Sequence, residues 1–120
     1  MGKFGHMTPD SACAAVALRF NDRINARDLA GLAALMTADH TFVDAAGDRV
    51  EGRNACVEAW RGFFAAFPDY RNVFTGTSTD GDTVAITGHS ECSVPGLAGP
   101  ARWTARVRDG KVAQWRVSDA

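Results

Sequence analysis

The chain has 120 residues, with 13 Lys and Arg against 14 Asp and Glu, so its formal net charge is −1 at pH 7. That length fits one domain, residues 7–120, and excludes a two-domain enzyme, because roughly two-thirds of the unfolded surface can be buried at this size. With 46% apolar and 22% charged residues the composition is that of a folded globule, and the near-neutral balance lacks the basic field that nucleic-acid binding requires.

The opening Gly5-His6-Met7 reads as a cloning junction before a natural start at Met7, so residues 1–6 carry no functional expectation. Thr8-Pro9-Asp10 is a helix start: Thr accepts orphan amides, Pro presets φ at the first helical position and Asp complements the positive dipole end. The first helix is expected to reach about Ala26, with Cys13, Val16, Phe20 and Ile24 forming its apolar stripe at helical spacing. Asp28 can cap a second, shorter helix carrying Leu29, Leu32, Leu35 and Met36. His40 to Asp44 is β-prone and predicts a short strand ending at the turn-rich Ala45-Ala46-Gly47-Asp48. Helical spacing returns in Arg53 to Phe67, where Val57, Trp60, Phe64 and Phe67 share a face, and Pro68 stops it.

Beyond Pro68 the chain turns β-rich. Asp80-Gly81 and Asp109-Gly110 are hairpin signals between expected strands Tyr70 to Thr79, Asp82 to Val94, Ala101 to Arg108 and Lys111 to Ser118. Pro95 to Pro100 reads as a loop. Helices followed by antiparallel strands make the fold class α+β, three helices packed on one face of a curved, mostly antiparallel sheet. No apolar run approaches the roughly 20 residues of a membrane span, and no signal-peptide stretch opens the chain, so a cytoplasmic location is expected. Cys13, Cys56 and Cys92 are odd in number and widely spaced, as reduced core thiols would be.

A two-residue loop at Asp109-Gly110 pairs Arg106 with Ala113 and Thr104 with Trp115, placing Thr104, Arg106, Ala113, Trp115, Val117 and Asp119 on one face. Asp119 thereby ends a row of apolar side chains, where burial would raise its pKa into a range useful for proton transfer; as a residue near the chain end it can equally be solvated. Asp44 alternates with Phe42 and His40 and can join Asp119 at a site, or simply cap the turn through Gly47. Arg106 could orient a carboxylate or steady an oxyanion, or belong to an exposed row with Arg102 and Arg108. His89 and Glu91 fall on the face away from Ile86, in a surface or interface role. Trp60, Phe64 and Trp115 would line a cavity between the third helix and the sheet, or fill the core. Trp103, Val107, Phe74 and Tyr70 are left on the other sheet face, which predicts a homodimer through it. No phosphate loop, zinc motif or nucleophile elbow is present, so neither a metal nor another cofactor is expected.

Several ordered segments carry a family likeness: Phe20 to Leu29, Ala38 to Asp44, Glu51-Gly52-Arg53, Phe67-Pro68-Asp69-Tyr70, Asp80 to Val84 and Arg108 to Asp119. In these the chain resembles the SnoaL-like polyketide cyclase family, in the superfamily of ketosteroid isomerase and nuclear transport factor two. The resemblance spans Val16 to Asp119. It implies a cone-shaped α+β barrel with a deep apolar pocket, frequent homodimers, and Asp119 as general acid/base in the Trp115-x-x-x-Asp119 ending. Asp44 falls where ketosteroid isomerases keep a proton-shuttling aspartate. The isomerase's oxyanion donors correspond to Phe20 and Thr104, and the cyclase's auxiliary histidine to Arg106, so this chain departs from both patterns.

The expected function is cofactor-free acid/base chemistry on a small hydrophobic carbonyl or polycyclic molecule. Asp119 would move the proton, with Asp44 or Arg106 assisting, and Phe20, Trp60, Phe64, Thr104 and Trp115 would contact the substrate. The alternatives are a non-catalytic ligand-binding or association module of the same fold, and hydration or epoxide opening by water held among Asp44, Asp119 and Arg106.

Overall fold

A computed structural model describes residues 9–119, with side chains over 12–118. The expected cloning junction therefore lies outside the described residues. Helix α1 spans Pro9–Asn25 and α2 spans Leu29–Ala34. Asp28 starts α2 as its sequence suggests: Oδ1 accepts the Gly31 amide at 2.9 Å. Arg27, at φ 57°, makes the left-handed corner between the two helices.

Strand β1, Met36–Val43, is longer than expected and takes Met36 from the predicted second helix. Met36 pairs with Val112 across the sheet, and that pairing with full burial outweighs the helical preference of a two-turn segment. A three-residue β2, Arg49–Glu51, was not legible in the turn-rich stretch; it pairs antiparallel with β1. Helix α3, Arg53–Ala66, then packs over β1. Strands β3 (Arg71–Asp80), β4 (Thr83–Glu91), β5 (Gly99–Arg108) and β6 (Lys111–Asp119) complete the sheet, and a single 3-10 turn, Pro95–Leu97, sits in the β4–β5 connection.

The sheet order is β2-β1-β6-β5-β4-β3, antiparallel throughout except for the parallel pair β1 and β6. This is the α+β architecture of three helices on a curved, mostly antiparallel sheet. Its core is built from the α1 stripe Val16, Phe20 and Ile24, from Trp60 and Phe64 of α3, and from Trp103, Ala105, Val107, Val112 and Trp115 of the sheet.

Two β-bulges correct the expected faces. In β6 the pairs run Arg108 with Lys111 and Val107 with Val112, and then skip to Arg106 with Gln114 and Ala105 with Trp115. Ala113 is the extra residue, so beyond it every side chain changes face relative to an unbroken hairpin. Trp103 and Ala105 thus join Trp115 inside, while Thr104 and Arg106 lie outside. In β3 the register shifts between Phe74 and Gly76, which leaves Phe74 opposite Gly88 and Asn72 opposite Ser90. Phe74 consequently packs on Trp103, centroids 5.0 Å apart, instead of facing outward.

Candidate active site

A cavity of about 490 Å³ opens at the end of the cone between α3, the β1–β2 turn, the β4–β5 connection and the end of β6. Its apolar wall is Phe42, Trp60, Phe63, Leu97 and Val117; Asp44, Tyr70 and Ser90 are among its polar groups. The aromatic side is tightly set: Trp60 meets Phe42 edge-on at 5.6 Å and Phe63 edge-on at 5.7 Å. Such a wall offers flat contact area to a ring compound.

Asp44 closes the turn and also lines the cavity. Its Oδ1 accepts the amides of Ala46 and Asp48, each at 2.9 Å, which closes the turn, and the residue is half-buried in the cavity wall. The two amides fix the carboxylate's orientation at the mouth. Asp119 ends β6, with its backbone in register with Ala101, a cavity residue, and two positions beyond Val117. Its carboxylate lies outside the described part of the structure.

Of the five expected substrate contacts, Trp60 lines the cavity. Phe20 is wholly buried, stacked against Trp115 at 4.7 Å and His40 at 5.6 Å, and Phe64 also belongs to the core. These three aromatics, Phe20, Phe64 and Trp115, support the cavity from the core without lining it. Thr104 lies along a separate groove on the outer sheet face, and Arg106 is exposed on that face, because the Ala113 bulge turns both away from the cone. Arg106 therefore does not meet Asp44. His40 is sealed in the core; its Nδ1 donates to the Val112 carbonyl at 2.6 Å, Nε2 has no partner, and burial pushes its pKa down. Among the described residues no three His, Cys, Asp or Glu side chains gather as a metal site would need, and no helix is long and apolar enough to cross a membrane.

Sequence reasoning missed the other polar wall. Tyr70, assigned to the outer face, points inward with 8% of its surface exposed, and its Oη lies 3.1 Å from Ser90 Oγ. Ser90 in turn bonds Asn72 Oδ1 at 3.0 Å. Asn72 is anchored to α1 by a double contact: its amide donates to Asn25 Oδ1 and its carbonyl accepts from Asn25 Nδ2, both at 2.9 Å. The available signal was glycine inside strands, Gly76 and Gly88, which marks a bulge or close backbone approach. A Cβ on Gly88 would fall 2.0 Å from the Val73 carbonyl oxygen.

The fold defines a class, the cone-shaped α+β proteins in which helices close over a curved sheet. Residues 17–115 match the SnoaL-like domain model, and the chain belongs to that family. A protein named as a candidate SnoaL-like polyketide cyclase from Jannaschia sp. superposes with a TM-score of 0.81 at 18% identity, covering 93% of this chain and 88% of its own. A candidate ketosteroid isomerase from Kribbella flavida gives 0.78 at 21%, covering 94% and 81%. An epoxide hydrolase from M. tuberculosis gives 0.79 at 15%, covering 92% and 84%. At these identities the likeness is one of fold. No curated protein matches the chain in sequence.

Proposed function

We propose that this chain is a cofactor-free enzyme that moves a proton within a small hydrophobic carbonyl or polycyclic molecule, in cyclase, isomerase or dehydratase fashion. The observation that carries this is the aromatic-walled cavity with Asp44 fixed at its mouth and Asp119 in register with its rim. Phe42, Trp60 and Phe63 would hold the substrate's ring. Asp119 would take a proton from the carbon beside the carbonyl while the electron pair moves onto oxygen, then return it; Asp44 would assist. Hydration or epoxide opening by water held among three groups loses its third member, since Arg106 is on the outer face.

Exchange of the α-protons of 2-tetralone in D2O, followed by NMR, tests proton abstraction without knowledge of the natural substrate. The protein is expected to accelerate exchange over buffer. Asp119→Asn should remove about 100-fold of that acceleration, the low end for a general acid/base group, and Asp44→Asn, as an assisting group, only about 10-fold. Asparagine at 44 keeps an oxygen for the turn amides. Binding of 2-tetralone with no accelerated exchange would replace the enzyme with a ligand-binding module.

A further inference from the structure

The Tyr70, Ser90 and Asn72 chain has no part in proton transfer as proposed, yet two of its members line the cavity. Each member is more than nine-tenths buried: Tyr70 is 8%, Ser90 6% and Asn72 2% exposed. Polar groups so enclosed are expected to have all their hydrogen-bonding capacity met. Here one is not: Asn72 Nδ2 is buried without a partner.

The direction of the chain follows from that orphan. With Ser90 donating to Asn72 Oδ1, Tyr70 must donate to Ser90, and the buried NH2 of Asn72 is stranded. Oxygen and nitrogen of an amide are interchangeable in heavy-atom position, and an unmet N–H is rarer inside proteins than an unmet C=O. With the amide reversed, Asn72 donates to Ser90, Ser90 donates to Tyr70 Oη, and the Tyr70 proton is released toward the cavity. Burial also holds the Tyr70 phenol above its usual pKa, so it stays an O–H donor. Asn25 fixes the Asn72 backbone, and Phe63 fixes the Tyr70 ring edge-on at 4.8 Å, so the donor is preorganised.

We propose that Tyr70 is the donor that recognises a carbonyl oxygen on an otherwise apolar ring compound, with Ser90 and Asn72 as positioning residues that aim its proton. This rests on the cavity being the ligand site, as in the proposed function, but not on catalysis there. It names the group the ligand must carry: an acceptor oxygen set against the wall formed by Tyr70 and Ser90, with the hydrocarbon frame against Trp60 and Phe42.

Calorimetric titration with 2-tetralone and with tetralin, which lacks the oxygen, tests it on the whole chain. The wild type is expected to bind the ketone about 10-fold more tightly than the hydrocarbon, as one buried hydrogen bond allows. Tyr70→Phe, which keeps the ring, should erase that preference while leaving tetralin affinity unchanged. Ser90→Ala should reduce the preference without changing tetralin affinity, a pattern that loss of packing would not give. An undiminished preference in Tyr70→Phe overturns the proposal, as does failure of 2-tetralone to bind. If the preference depends on Tyr70 while Asp119→Asn leaves proton exchange untouched, the recognition role stands and the enzymatic one falls.

Discussion

His40 shows how one side chain can couple stability to pH. It is completely enclosed, donates one hydrogen bond to Val112, and has its second nitrogen unpaired. Desolvation disfavours the imidazolium, so the folded pKa is below the usual 6.5. The unfolded chain then binds a proton that the folded chain refuses, and stability must fall as pH drops through 6.5 toward the folded value. Urea unfolding at pH 7 and at pH 5 should show the wild type losing more stability than His40→Asn, which keeps an N–H for Val112. Equal losses in the two proteins would remove the assignment. Asp39 acts in the same direction by another route: at the surface the Arg108 guanidinium and the Thr37 hydroxyl favour its charged form and hold its carboxyl at about 2, so its contribution too is lost as pH falls below the usual carboxylate range.

At the scale of elements, the helices were legible because their apolar spacing is insensitive to single-residue events. Phe20 and Ile24, and Trp60 and Phe64, lie on core faces as their spacing implies. Strand faces have period two, so one extra residue inverts everything after it. The site inherited that sensitivity: Trp60, on a helix, and Asp44, in a turn, reach the cavity, whereas Arg106, Thr104, Phe74 and Tyr70, which lie beyond a bulge counting from their hairpin turns, were assigned to the wrong faces. Gly88 is the backbone feature that makes the β3 bulge possible, since any Cβ there collides with the Val73 carbonyl. Gly88→Ala should therefore cost about 3 kcal/mol, the upper end for overpacking. Gly76→Ala, whose Cβ would meet only the Thr87 hydroxyl at 3.1 Å, should cost about 1 kcal/mol or less. Denaturant midpoints of the two variants check the contrast, and equal midpoints would refute it.

For the whole molecule, the apolar and aromatic residues on which a homodimer was expected, Trp103, Val107, Phe74 and Tyr70, are inside the cone or packed against its core. The outer face instead exposes Arg102, Arg106 and Arg116. A homodimer through this face, as the sequence leads one to expect, would bring like charges together, and any association there should strengthen with added salt as repulsion is screened. Light scattering at micromolar concentration, at low and high salt, checks this; a monomer under both conditions would exclude the dimer there.

The parallel pair β1 and β6 sets the order in which the fold can be completed. β6 lies between β1 and β5, so until it is made the sheet exists only as two separate pieces, β2-β1 and β5-β4-β3, each with a bare edge facing the gap. A nascent chain leaving the ribosome would carry the β1 edge bare from Val43 onward and the β5 edge bare from Arg108 onward, and the late arrival of one strand would join them in a single long-range closure. Any premature stop before β6 would leave two sticky half-sheets with nothing to join them, a substrate for chaperones and proteases instead of a smaller folded protein.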